Sequence, residues 1–205
     1  RSKYIQDYQG IHVDTVRTVT NFSPTFDLRY RFNQRHQLRI RYRGTTSQPT
    51  ISQLLDITDD SNPLNISKGN PGLKPSFTNN FNLSYSNFIQ NHSRFINADM
   101  SFATTKNSIS NMVTYDDVTG ARTTRPENIN GNWNIKGNIT FCTSIDSTGT
   151  WYTNTGTHAG FSNSVGYLTL NRTSGVQKNR TQTLNLKEQL DFGYRNDWLE
   201  AELNG

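Results

Sequence analysis

Run after run of this chain is apolar at every second residue. In "FDLRYRF" (26–32), Phe26, Leu28, Tyr30 and Phe32 share one parity, while Asp27, Arg29 and Arg31 share the other. Successive side chains of a strand point to opposite faces, so a period of two builds a sheet with one apolar and one polar face. Leu38, Ile40 and Tyr42 alternate in the same way with Gln37, Arg39, Arg41 and Arg43. So do Phe81, Leu83 and Tyr85, then Ile96, Ala98, Met100 and Phe102, then Trp133, Ile135, Ile139 and Phe141. Leu184, Leu186, Leu190, Phe192 and Tyr194 continue the pattern, broken by Glu188, and Leu199, Ala201 and Leu203 begin one more run. Only "TISQLLDI" (50–57) carries a helical stripe, and it is short. The expectation is an all-β, antiparallel up-and-down sheet of about eight strands. They fall near 11–32, 37–46, 77–87, 94–115, 121–145, 151–171, 179–195 and 198–205.

Composition decides what the apolar face can meet. Only 32% of the chain is hydrophobic, and Asn, Ser and Thr supply 69 of its 205 residues, too thin an apolar stock for two packed inner faces. Aromatics at 11% still argue against a disordered chain. A net charge of +5 and a pI near 9.4 are modest for a dedicated nucleic-acid binder. The single cysteine, Cys142, excludes an internal disulfide; in a strand-like run it reads as a buried or lipid-facing thiol. No stretch reaches the roughly 18 apolar residues of a membrane helix. Opening at Arg1 without a signal peptide and stopping inside the strand pattern "WLEAELNG", the chain reads as an excerpt of a longer protein.

Folding 26–32 onto 38–43 about a turn at 33–37 is expected to pair Phe32 with Leu38, Tyr30 with Ile40 and Leu28 with Tyr42. The other face then sets Arg31 opposite Arg39, Arg29 opposite Arg41 and Asp27 opposite Arg43. Like charges directly opposite weaken a sheet, so this face needs water, carboxylates or an anionic ligand. A second hairpin is expected to pair Tyr85 with Ile96, Leu83 with Ala98 and Phe81 with Met100. Turns at 33–36, 88–93, 146–150 and 196–197 are short, whereas 47–76, 116–120 and 172–178 are longer or end overlong strands. Short turns at one end and long excursions at the other belong to outer-membrane barrels, whose apolar face meets lipid. Tyr30, Tyr42, Tyr85, Tyr115, Trp151, Tyr167, Tyr194 and Trp198 stand near strand ends, where an interfacial girdle would lie. A soluble β-sandwich is the competing architecture.

The 47–76 excursion carries a more specific signal: Tyr42-Arg43-Gly44, Pro49, Leu54, "DSNP" (60–63), Gly69-Asn70-Pro71 and Leu73-Lys74-Pro75, followed by a strand. With "FSPTFDLRYRF" upstream and "GNWNIKGNITF" downstream, this resembles the TonB-dependent-receptor-like outer-membrane β-barrel family over most of residues 20–205. The resemblance implies part of a barrel of roughly 22 strands. It makes residues 1–205 a partial barrel domain without its plug, with 47–76 an extracellular loop whose marking residues are Pro49, Gly69, Asn70, Pro71, Leu73 and Pro75. It further implies outer-membrane lipid, a plug domain and the TonB system as partners, a possible surface lipoprotein, and nutrient uptake across the bacterial outer membrane. Plug, coupling segment and terminal strand are all outside these 205 residues, so the chain alone is not expected to transport actively, and its strands are expected to form an open arc.

No enzyme is expected. His12, His36, His92 and His158 are scattered, the turn histidines reading as solvated, and no nucleophile elbow, phosphate loop or cofactor motif appears. Asp59-Asp60 and Asp116-Asp117 suit turns better than a calcium site. The candidate ligand-binding residues are therefore Arg29, Arg31, Arg39, Arg41 and Arg43. They are lumen arginines paired with carboxylates or water, or a basic stripe that orients an anionic solute. A nucleic-acid partner is not expected, because the hairpin's aromatics lie on the face opposite its arginines. The remaining alternative is a soluble or cell-surface β-sheet module that recognises a glycan or protein.

Overall fold

The computed structural model describes residues 2–8, 11–17, 20–90, 93–169 and 176–205, with no side-chain detail before residue 20. In chain order the strands are β1 (Ser2–Tyr8), β2 (Ile11–Arg17), β3 (Thr25–Asn33) and β4 (His36–Ser47). A one-turn helix α1 (Ile51–Leu54) and the short strands β5 (Thr58–Asp59) and β6 (Asn65–Lys68) follow. Then come β7 (Ser76–Ile89), β8 (Arg94–Lys106), β9 (Ser108–Tyr115), β10 (Arg122–Ile129) and β11 (Asn132–Ser144). The long strands β12 (Trp151–Thr169) and β13 (Val176–Arg195) and the short β14 (Glu200–Asn204) complete the order.

Eight of these strands form the main sheet, ordered β3-β4-β7-β8-β11-β12-β13-β14, with every neighbour antiparallel. The number and the up-and-down course match the sequence reading, and the sheet is open, with β3 and β14 as its edges. A second, four-stranded sheet, β5-β6-β10-β9, includes a parallel pair, β6 with β10. The strand expected over 11–32 is instead β2 and β3, separated around Pro24, and among the described residues β2 pairs with β1 alone. The strand starting at 151 runs to Thr169, and part of the 172–178 connection lies outside the described residues, as does His92.

The expected strands 94–115 and 121–145 both break at one level. Asn107 takes a left-handed φ of 52° and Gly131 a φ of 119°, a conformation that a side chain makes costly. The Asn107 amide donates to Asn130 Oδ1 at 2.7 Å, and Asn128 Nδ2 donates to the Asn107 carbonyl at 2.9 Å. Beyond this hinge β9 and β10 leave the main sheet and join the 47–76 excursion.

Register also differs from expectation, by two residues in each hairpin. Tyr30 faces Leu38, Leu28 faces Ile40 and Phe26 faces Tyr42, because the chain turns tightly between Asn33 and His36 with an irregularity at Phe32. Tyr85 faces Ala98, Leu83 faces Met100 and Phe81 faces Phe102. A slip of two leaves every side chain on its expected face; a slip of one would have inverted the sheet.

Candidate functional site: a two-faced wall with an arginine stripe

Joining the registers gives rows that cross the sheet. One reads Leu28, Ile40, Leu83, Met100, Gly137, Ala159, Leu186; the next reads Phe26, Tyr42, Phe81, Phe102, Ile135, Phe161, Leu184. Among the described residues no second layer covers this apolar face: Leu184 is 62% and Leu186 69% exposed. The buried apolar residues of the described chain are Leu73, Ala121 and Ile129, all in the excursions. On β13 the band runs from Leu184 to Tyr194, matching the roughly 9–11 residues a tilted strand needs to cross a bilayer. Glu188 interrupts it, accepting a hydrogen bond from Thr157 Oγ1 at 2.8 Å.

Aromatic rings bound the band at both ends. Toward the excursions, Tyr42, Phe81, Phe102, Trp133 and Phe161 form a chain of contacts with centroids 4.8 to 6.3 Å apart. Toward the short turns, Tyr30 meets Phe32 at 4.7 Å, and Trp151 meets Tyr194 at 4.7 Å and Phe192 at 5.5 Å. His36, expected to be a solvated turn residue, instead stacks on Phe32 at 4.0 Å with its edge toward Tyr85. Tyr115 sits in the second sheet rather than on the rim, Tyr167 donates to the Asn128 carbonyl at 3.2 Å, and Trp198 is 81% exposed in a turn.

The opposite face is polar in matching rows: Asp27, Arg41, Asn82, Ser101, Lys136, Gly160, Asn185, and Arg29, Arg39, Ser84, Asp99, Asn138, His158, Lys187. Cys142 lies on this side, half-buried, with its thiol donating to Asn154 Oδ1 at 3.0 Å, so it does not face lipid. Register brings Arg29 opposite Arg39, Asp27 opposite Arg41, Arg31 opposite Gln37 and Arg43 opposite Thr25. Asp27 accepts from Arg39 Nε at 2.9 Å and from Arg39 Nη2, and lies 3.5 Å from Arg41 Nε. Among the described residues no ion pair forms at Arg29, Arg31 or Arg43. All five expected arginines thus share one face and two adjacent strands, and among the described residues Asp27 is the carboxylate that pairs with any of them.

At the excursion end the residues that mark the sequence form a structural clasp. A capping box starts α1: Thr50 Oγ1 accepts from the Gln53 amide, and Gln53 Oε1 accepts from the Thr50 amide. Gly69 packs where an added Cβ would stand 1.7 Å from the Leu55 carbonyl oxygen. Buried Asn70 donates its amide to the Gln53 carbonyl at 2.6 Å and its Nδ2 to the Pro126 carbonyl at 2.9 Å. Its Oδ1 accepts from Arg125 Nη2 at 3.0 Å and from the Gly72 amide at 2.9 Å. Pro49 is buried, Pro71 is exposed in the turn, Leu73 is buried, and Pro75 leads into β7. A cleft of about 330 Å³ lies between α1, β6 and β10, lined by Ser52, Gln53, Lys68, Asn111 and Thr124. The sequence reading missed the β9–β10 half of this unit, although the Asn130-Gly131 pair is a strong turn signal.

The first aspartate of each pair acts as a turn former. Asp59 Oδ1 accepts from the Ser61 amide and hydroxyl at 3.1 and 2.7 Å, and Asp116 Oδ1 from the Val118 and Thr119 amides at 2.9 and 2.8 Å. Those two amides and the Thr119 side chain lower the Asp116 pKa.

A search of curated proteins finds no match. The model of the outer membrane protein beta-barrel family matches residues 6–204. Taken with an open sheet whose apolar face is bare and girdled at both ends, that match assigns the chain to the bacterial outer membrane. The chain belongs to the outer membrane protein beta-barrel family.

Proposed function

We propose that the chain is part of the wall of a nutrient transporter of the TonB-dependent-receptor-like kind. The observation that carries this reading is the polarity of the sheet from end to end. Among the described residues one rim has short turns, such as Asn33 to His36 and Arg195 to Glu200, while the other bears a folded unit with its own buried residues. A structured extracellular rim over a polar inner face suits capture and passage of a solute. In this reading, further strands extend the arc toward a barrel of roughly 22 strands. A plug lies against the arginine face, the TonB system supplies energy, and a surface lipoprotein closes over the rim. No catalytic step is assigned to the chain.

The test is uptake. Cells lacking the protein are compared with the parent strain on single limiting nutrients, with and without a functional TonB system. A growth defect reproduced by loss of TonB supports the proposal. Normal growth on every nutrient, or a defect that does not depend on TonB, contradicts it.

A further inference from the structure

We propose that the groove beside the arginine stripe binds an oxyanion, a phosphate or carboxylate group borne by the transported solute. This rests on the reading that the polar face lines the lumen. The groove holds about 290 Å³ between β3, β4, β7 and β8, and is lined by Arg29, Gln37, Arg39, Ser84, Ser86 and Asn97. A second hollow of about 270 Å³, lined by Arg39, Arg41, Asn82 and Ser84, shares two of those residues and continues it along the strands. The lining is a set of donors: guanidinium forks, hydroxyls and amides.

Charge makes the case stronger than shape. Arg29 stands directly opposite Arg39, a pairing that weakens a sheet unless an anion lies between or above the two. Asp27 is committed to Arg39 and Arg41. The other nearby carboxylate, Asp99, is one strand beyond Ser84 and is engaged by Asn97 Nδ2 at 2.6 Å. Among the described residues no carboxylate forms an ion pair with Arg29, whose planar fork on the groove wall is the group best shaped for two oxygens of one oxyanion. The Ser84 and Ser86 hydroxyls are placed to donate to its remaining oxygens. A neutral sugar or an apolar solute has no use for this excess of charge. Asp27 has the role of a brake, holding Arg39 and lowering the local positive potential.

The test is calorimetric titration of the purified protein in detergent at low ionic strength, with inorganic phosphate in one arm and citrate in the other. Saturable binding is expected in at least one arm: phosphate alone assigns a phosphoryl group, citrate alone a carboxylate. Arg29→Gln should weaken binding about fivefold or more, whereas Asp27→Asn should tighten it several-fold by freeing Arg39. Lys187→Gln, on the same face but at β13, should leave binding unchanged. No saturable binding in either arm, or binding indifferent to both Arg29→Gln and Asp27→Asn, overturns the inference. Each variant is also run unboiled and boiled on a gel. A compact band that shifts on heating shows an intact barrel, so lost binding there strikes this inference alone. Partition away from membranes strikes the lumen reading itself.

Discussion

Asn70 ties together three parts of the excursion, and Gly69 beside it leaves no room for a side chain. Asn70→Ala removes the partners of the Pro126 carbonyl and Arg125, at a cost of about 1–3 kcal/mol. It should raise amide exchange in β6 and β10, measured by hydrogen–deuterium exchange, without changing the main sheet. Unchanged protection in β10 would show that Asn70 is not the clasp. At the opposite rim, the turn from Ile145 to Trp151 is built around Asp146. Its carboxylate accepts from the Thr148 hydroxyl, the Trp151 amide at 2.9 Å and the Thr150 amide at 3.2 Å, which hold its pKa at about 2. A carboxyl depressed on folding stabilises the turn at any pH above its ordinary value near 3.8 and loses that contribution as pH falls through about 2. A carboxyl-carbon NMR titration of Asp146 should therefore have its midpoint near 2, and a midpoint near 4 would contradict the turn geometry.

At the scale of the strand, alternation told most of the story and hydrogen bonding told the rest. The parity of Phe26, Leu28 and Tyr30, or of Leu184, Leu186 and Leu190, assigns each residue to a face from sequence alone. Register was not legible, because a shift of two preserves parity, and the turn at Asn33–His36 selects among the possibilities. The break that peels β9 and β10 from β8 and β11 was hidden for a different reason. The strand pattern continues past Asn107, and the bend is fixed by contacts with Asn128 and Asn130, about twenty residues away. The arginine face could be read residue by residue, yet the partner of Asp27 depended on register and emerged only with it. Strand β13 offers a direct check on the two faces. Leu190→Arg, near the middle of the band, should cost about 2–4 kcal/mol in a folding equilibrium measured in lipid vesicles, while Gln189→Arg on the polar face should cost little. Equal costs would mean that neither face is against lipid.

For the molecule as a whole, the sheet reverses the usual placement of residues. Its apolar side is bare, and the few buried apolar residues sit in the polar rim, where water is the solvent and a core is needed. Both facts follow from one boundary condition, hydrocarbon on one side of the wall and water on the other. That condition is tested most directly by placing a fluorescent label at Leu186 or at Lys187, each introduced as a single cysteine in a Cys142→Ser background, and reconstituting the protein in vesicles of brominated lipid. A wall oriented as described gives strong quenching at position 186 and little at 187. Similar quenching at both positions, or none at 186, would contradict the orientation on which the transport reading and the anion site depend.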